Sequence, residues 1–225
     1  MHIVIADSLP ASAADALRAA GFTVDTKSGR KPDELAKDLA NADALIVRSA
    51  TQATAALIES APKLRVIARA GTGVDNVDVP AATARGILVM NAAGANSISV
   101  AELAMGMLLS LARALPAADA SMKRGEWEKK RFMGAELRGK LLGVVGFGRI
   151  GREVAMRARA FEMEIVAYDP FLAARAAEAA GVPLVELDDL LSRADFITLH
   201  VPALAETRHL INAERLARCR RVYGS

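Results

Sequence analysis

Apolar and polar segments alternate along residues 1–94 in the order of strand, helix and strand. Short apolar runs rich in β-branched residues predict the strands of a buried sheet. Alanine-rich or amphipathic stretches between them predict helices, some opened by proline or closed by glycine. The predicted strands are 3–5, 22–24, 44–47, 66–68 and 87–90, and the predicted helices are 11–20, 32–40, 54–60 and 80–85. This alternation predicts a parallel sheet that is covered by helices on both faces.

A long apolar segment follows a predicted hinge at 91–96. Ser99 and Glu102 have the spacing of a capping box, which predicts that a helix begins there and runs to about Leu115. This helix is apolar on nearly every side, so we expect it to be buried between domains or at a subunit contact. Pro116 is expected to open a further helix that ends at Gly125.

A glycine-rich turn carries the clearest chemical signal of the chain. An apolar run at 141–145 precedes Gly146-Phe147-Gly148-Arg149-Ile150-Gly151, and a helical pattern, a second apolar run and Asp169 follow it. In a dinucleotide site, glycines at these positions allow a tight turn, the approach of a pyrophosphate, and close packing of helix on strand. The helix N-terminus offers amide donors and a positive dipole to the phosphates. The alternative is a glycine-rich turn without a ligand.

Asp169 is placed to select the dinucleotide. It follows the second predicted strand of this unit, where a carboxylate can accept hydrogen bonds from ribose hydroxyls. Its negative charge would repel a 2′-phosphate. The segment therefore predicts that the cofactor is NAD and not NADP.

Composition restricts the classes of partner. Of the 225 residues, 52% are hydrophobic and 24% are charged, which is typical of a folded globular protein. The net charge of +3 does not indicate a nucleic-acid surface, and the single cysteine, Cys219, excludes a disulfide framework. No stretch predicts a signal peptide or a membrane span. We expect a cytoplasmic location, no nucleic-acid or membrane partner, and no metal site.

Several segments together resemble the D-2-hydroxyacid dehydrogenase family, and within it the phosphoglycerate dehydrogenase group. These segments are VRSAT at 47–51, RAGTGVDNVD at 69–78, 91–102, 127–140 and the glycine turn. The resemblance implies an α/β protein with a flavodoxin-like substrate domain at 1–94. It also implies a Rossmann NAD-binding domain at 95–225, incomplete at its C-terminus. The implied reaction is NAD-dependent oxidation of 3-phospho-D-glycerate to 3-phosphohydroxypyruvate, the first step of serine biosynthesis, in a homo-oligomer.

The resemblance also implies the residues of the site. Substrate contacts are expected at Arg48, Arg69, Asn96, Lys129 and Arg131, and cofactor contacts at Thr72, His200, Val201 and Pro202 besides the glycine turn and Asp169. Arg48 and Arg69 lie at carboxyl ends of predicted parallel strands, where ligands bind in open α/β sheets. Surface arginines at strand ends are the alternative for this pair, and a solvated charge run is the alternative for 129–131. His200 is expected to act through its backbone, because a lone histidine is a weak acid–base site.

The end of the chain departs from the family pattern. The resemblance implies that the family continues into a strand, a turn with a carboxylate-binding arginine and a glutamate–histidine pair. The sequence CRRVYGS at 219–225 does not match that pattern, so none of these three residues is identified. We therefore assign no catalytic residue and expect no detectable hydride transfer by residues 1–225. The alternatives are a dehydrogenase of another D-2-hydroxy acid, a non-catalytic NAD-binding regulator, and an inert fragment.

Overall fold

Two compact units, Met1–Ala95 and Asn96–Ser225, make up the chain in a computed structural model. The structure describes residues 1–172 and 179–220. Strands and helices alternate in both units, and the paired strands of each sheet run parallel. The predicted α/β class with parallel sheets is therefore confirmed.

The first unit is built on a five-stranded sheet. Its strands are β1 (His2–Ile5), β2 (Thr23–Asp25), β3 (Ala44–Val47), β4 (Val66–Arg69) and β5 (Leu88–Asn91). Its helices are α1 (Ala11–Ala19), α2 (Pro32–Leu39), α3 (Ala55–Glu59) and α4 (Val79–Ala84). The strand order is β2-β1-β3-β4-β5, which is the order of flavodoxin-like folds.

Alternating side chains of the strands fill two cores in this unit. In β1, Val4 packs with Leu39 and Ile58 on one face of the sheet, while Ile5 packs with Ala14 on the other. This division follows from the two-residue period of a strand. Full burial of a Val, Leu or Ile side chain stabilises the folded state by about 1.5–3 kcal/mol. Helices on both faces are therefore needed to cover the apolar side chains of the sheet.

The second unit carries a shorter parallel sheet. Its helices are α5 (Ser97–Ala112), α6 (Leu115–Lys123), α7 (Arg149–Ala160), α8 (Leu187–Arg193) and α9 (Ala213–Arg218), and its strands are β6 (Leu141–Val145), β7 (Glu164–Tyr168) and β8 (Phe196–Leu199). The strand order is β7-β6-β8. Leu184 also forms a parallel bridge with Ala167 on the outer side of β7. The resulting order, bridge-β7-β6-β8, matches the 3-2-1-4 part of a Rossmann sheet.

The start of α5 differs from the prediction. Asn96 is the N-cap, so Ser99 and Glu102 lie within the helix and the predicted capping box is wrong. Asn96 occupies the N-cap position through its backbone, since its side chain makes no capping hydrogen bond to the helix. The helix also ends before Leu115, because Ala114 adopts a left-handed conformation with φ of 48° and separates α5 from α6.

Within the single chain α5 is buried on one side only, and its burial between domains or at a subunit contact stays a prediction. Ala101 and Met105 are buried in a core shared with α7, whereas Leu103 and Leu111 are 64% and 77% exposed. Among the described residues, no single helix is long and apolar enough to cross a membrane. The helices α5 and α6 reach that length and hydropathy only as a pair bent by 63°.

Candidate functional site

The glycine turn connects β6 to α7. At each of its three glycine positions, the structure favours glycine for a different reason. Gly146 has φ of +90°, and a Cβ there would lie 2.5 Å from the carbonyl oxygen of His200. A Cβ on Gly151 would overlap the carbonyl oxygen of Gly146, so this glycine lets α7 pack against the strand end. At Gly148 a Cβ would meet nothing within 4 Å. The space beside Gly148 therefore fits the close approach of a pyrophosphate.

The first turn of α7 is suited to an anion. Gly148 is the N-cap and has no side chain that could accept hydrogen bonds from the amides of Ile150 and Gly151. The first turn contains no acidic residue. Amide donors and the positive end of the helix dipole thus meet in one place, as phosphate binding requires.

Asp169 lies beside this turn at the end of β7. One carboxylate oxygen accepts the Phe147 N–H at 2.9 Å, and the other accepts the Phe171 N–H at 3.0 Å. The carboxylate is therefore held in a fixed direction next to the glycine turn. A carboxylate has about four acceptor sites, so two bonds leave capacity for ribose hydroxyls.

Arg152 is a neighbour of the turn that the sequence did not single out. Its Nε donates to the Phe147 carbonyl at 3.2 Å, and its guanidinium carbon lies 5.8 Å from the centroid of the Phe147 ring. Phe147 is thus bonded through its N–H to Asp169 and through its carbonyl to Arg152. An arginine in the first turn after a glycine-rich loop was the available signal.

The segment His200-Val201-Pro202 lies against the turn through its first two residues. A Cβ on Gly146 would meet the carbonyl of His200 and the side chain of Val201. The His200 Nε2 lies 2.8 Å from the Thr198 hydroxyl, and burial lowers the pKa of this imidazole below its usual value. The contact with Gly146 is made by the backbone of His200, and a contact of this residue with the cofactor stays a prediction.

Arg48 and Arg69 have neighbouring backbone positions at the carboxyl edge of the first sheet. Val47 is paired with Arg69 in the register of β3 and β4. The Arg69 guanidinium forms an ion pair with Asp75 at 3.1 Å, and its Nε points to the Arg48 carbonyl at 3.4 Å. Arg48 is exposed, whereas only 12% of the Arg69 side chain is exposed. Two cations therefore share one sheet edge.

The remaining predicted contacts lie in separate places. Thr72 follows β4, and its carbonyl accepts from the Asn91 amide at 2.5 Å. Asn96 caps α5. Lys129 lies over the Trp127 ring at 5.3 Å, and the exposed Arg131 pairs with Glu128 at 2.9 Å within the same loop. Roles in ligand binding for Thr72, Asn96, Lys129 and Arg131 stay predictions.

In the part of the chain that the structure describes, no three His, Cys, Asp or Glu residues group as a metal site.

Comparison with a family model identifies the second unit. The model of the D-isomer specific 2-hydroxyacid dehydrogenase, NAD binding domain, matches residues 105–222. This range includes the glycine turn, Asp169 and the 200–202 segment. The prediction that NAD is the cofactor is therefore confirmed.

Individual proteins are similar along nearly the whole chain. The D-3-phosphoglycerate dehydrogenase of Methanocaldococcus jannaschii is 52% identical over 218 residues, which are 96% of this chain and 41% of that protein. Among solved structures, the TT0316 protein of Thermus thermophilus has a TM-score of 0.88 and 35% identity, and the match covers 98% of this chain and 71% of that one. The D-lactate dehydrogenase of Aquifex aeolicus, complexed with NAD and lactic acid, has a TM-score of 0.83 and 28% identity, over 97% and 66%.

These matches confirm the predicted family and enzyme class. The chain spans about 41% of the length of the curated relatives it matches. The similarity nevertheless extends through both of its units. The chain belongs to the D-isomer specific 2-hydroxyacid dehydrogenases, a family of NAD-dependent oxidoreductases.

Proposed function

We propose that this chain binds NAD and 3-phospho-D-glycerate as part of a phosphoglycerate dehydrogenase. The reaction converts the 2-hydroxy acid to 3-phosphohydroxypyruvate, the first step of serine biosynthesis. The similarity to D-3-phosphoglycerate dehydrogenases over 96% of the chain supports this reaction class. The observation that carries the substrate assignment is the pair Arg48 and Arg69 at the carboxyl edge of the first sheet.

The second unit has the residues that NAD binding needs. The chemistry supplied by bound NAD would be that of an acceptor for the hydride of C2 of the hydroxy acid. The open space at Gly148 and the first turn of α7 would hold the pyrophosphate. Asp169, fixed by two backbone amides, would orient the adenosine ribose and exclude a 2′-phosphate. The backbone of His200 supports the Gly146 turn, so the histidine shapes the site and does not move a proton in the proposal.

The first unit has the charge that the proposed substrate needs. 3-Phospho-D-glycerate carries a carboxylate and a phosphate, and arginine pairs well with both in bidentate geometry. Arg69 is already oriented by Asp75 at 3.1 Å, while Arg48 is exposed beside it. A hydroxy acid without the phosphate has only one anionic group for this pair. Discrimination should therefore come from the phosphate.

Calorimetric titration tests the substrate assignment. We expect the chain to bind 3-phospho-D-glycerate more tightly than D-lactate, which lacks the phosphate. Arg48→Ala and Arg69→Ala should each lower the affinity for 3-phospho-D-glycerate roughly tenfold to hundredfold, because each removes one charge-assisted contact. Lys63→Ala is a matched control, since Lys63 is a cation of the same unit that bonds to Asn41 outside the arginine pair.

The outcomes separate the proposal from its alternatives. Equal affinity for the two acids would contradict the phosphoglycerate assignment and favour another 2-hydroxy acid. Binding of NAD without binding of either acid would favour an NAD-binding regulator. The homo-oligomeric state and the cytoplasmic location stay predictions.

A further inference from the structure

A buried polar network lies at the place where the first sheet changes direction. The chain leaves β1 toward β2 on one side and continues to β3 on the other, as the order β2-β1-β3-β4-β5 shows. Asp7 follows β1, and Arg48 follows β3. Open α/β sheets bind ligands at this switch point, at the carboxyl ends of the strands. Asp7, an acidic residue, therefore lies next to the site proposed to bind an anion. Its carboxylate would not pair with that anion directly.

Asp7 accepts hydrogen bonds from the backbone N–H groups of the segment 48–51, which begins with Arg48. Its Oδ2 accepts the Arg48 N–H at 2.5 Å and the Thr51 N–H at 3.2 Å. Its Oδ1 accepts the Thr51 hydroxyl at 2.6 Å. Burial by itself would raise the pKa of Asp7, but the hydrogen bonds from Thr51, Arg48 and Ala50 outweigh it and lower the pKa below its usual value. The carboxylate is thus the acceptor that these donors require.

Asn76 holds the carbonyl side of the same segment. Its Nδ2 donates to the carbonyl oxygens of Arg48 and Thr51, at 2.6 Å in both cases. Arg69 Nε approaches the same Arg48 carbonyl at 3.4 Å. The backbone of Arg48 is therefore fixed from both sides, by Asp7 at its N–H and by Asn76 at its C=O.

The network is an unusual choice if stability were its only purpose. Asp7 and Asn76 are 8% and 4% exposed, whereas Arg48 is exposed. Among the described residues, Asn76 Oδ1 has no hydrogen-bond partner, and a buried unpaired acceptor lowers stability. Apolar side chains could anchor a surface loop at lower cost, but they would not fix the direction of a peptide group. Directional bonds on both sides of one arginine backbone fit a positioning role.

We infer that Asp7 and Asn76 are positioning residues that aim the Arg48 side chain at the substrate anion. This inference rests on the proposed function, in which Arg48 binds that anion. Neither residue needs to touch the substrate. Both act by restricting the Arg48 backbone before binding, so that less freedom is lost when the anion pairs with the guanidinium.

The test uses shape-conserving variants of the whole chain. Asp7→Asn keeps one acceptor but turns an amide group toward backbone donors, and Asn76→Asp removes both donors to the carbonyls. Thr51→Val is milder, since it removes only the hydroxyl bond to Asp7. Asp43→Asn is the matched control, because the Asp43 carboxylate accepts the His2 N–H at 2.7 Å at the other end of the same sheet.

Two affinities are measured for each variant by calorimetry, one for 3-phospho-D-glycerate and one for NAD. We expect Asp7→Asn and Asn76→Asp to lower the affinity for 3-phospho-D-glycerate by about tenfold. Thr51→Val should lower it by about threefold, and both effects are in the range of one lost hydrogen bond. The NAD affinity should stay at the wild-type value in all three. Asp43→Asn should leave both affinities unchanged.

Each contrary result has a distinct meaning. Suppose that Arg48→Ala lowers the affinity for 3-phospho-D-glycerate, while the variants of Asp7, Asn76 and Thr51 bind it like wild type. The positioning role is then wrong and the proposed function stands. If the wild-type chain does not bind 3-phospho-D-glycerate, or Arg48→Ala binds it equally well, the proposed function fails and the inference fails with it. If the network variants lose anion and NAD affinity together, Asp7 and Asn76 are structural residues. Should Asp7→Asn not fold, Thr51→Val decides by the same criteria.

Discussion

Replacing Gly148 by alanine should separate NAD binding from folding. The added methyl group would meet no atom within 4 Å in the protein. The backbone there is extended, with φ of −73° and ψ of −153°, and it lacks the positive φ that would disfavour alanine. We therefore expect the free energy of unfolding to stay constant or to rise by about 0.4–1 kcal/mol, the gain seen when alanine replaces an unstrained glycine.

The same methyl group would occupy the space proposed for the pyrophosphate. A displaced phosphate would lose at least one charge-assisted hydrogen bond to the α7 amides, about 1.5–3 kcal/mol. The NAD dissociation constant should then rise roughly tenfold to hundredfold. Gly151→Ala is the contrasting variant, because its methyl group would overlap the Gly146 carbonyl and destabilise the unit by about 1–3 kcal/mol.

Thermal unfolding and calorimetric titration with NAD measure the two effects. Gly148→Ala should melt at or above the wild-type temperature and bind NAD weakly, whereas Gly151→Ala should melt at a lower temperature. Wild-type NAD affinity in a folded Gly148→Ala protein would refute the role assigned to the open space beside this glycine.

Three further changes test neighbouring parts of the account. Asp169→Ala should lower the affinity for NAD and reduce the discrimination against NADP. A wild-type preference for NADP, measured by calorimetry, would contradict this interpretation. Arg152→Met should weaken NAD about fivefold by removing the donor to the Phe147 carbonyl, and Arg159→Met, which removes a donor to the Gly181 carbonyl from the last turn of the same helix, should leave NAD affinity unchanged. Hydrogen bonds from Thr51, Arg48 and Ala50 lower the pKa of Asp7 below its usual value in the folded chain, so its contribution to stability is present above the unfolded pKa and is lost as the pH falls through the folded pKa. Urea unfolding should therefore show a stability difference between wild type and Asp7→Asn that shrinks below about pH 4, and a difference independent of pH would count against the charged hydrogen bonds.

Local patterns were sufficient to predict the glycine turn and its surroundings. The turn, the helix after it and Asp169 lie close together in sequence, so spacing alone predicts a dinucleotide site. The five strands of the first sheet were predictable for a similar reason, since each is a short apolar run bounded by turn residues. Helix boundaries were less certain, because Asn96 and Ser99 are both residue types that cap helices and only the backbone decides between them.

Contacts between distant segments were not predictable. Asp7 and Arg48 are 41 residues apart, and their hydrogen bond exists because β1 and β3 are neighbours in the sheet. Asn76 reaches the same segment from the loop after β4, across 28 residues. The strand position at Leu184 consists of a single bridge, so it has no alternating pattern that a sequence reading could detect.

The most direct test maps both ligands onto assigned NMR resonances of the chain. NAD should shift the backbone amides of Gly148, Arg149 and Ile150, and 3-phospho-D-glycerate should shift the Nε–H resonances of Arg48 and Arg69. Shifts confined to these two sets, each caused by its own ligand, are the predicted result. An unchanged glycine turn at saturating NAD, or unchanged arginine resonances at saturating 3-phospho-D-glycerate, would contradict the account.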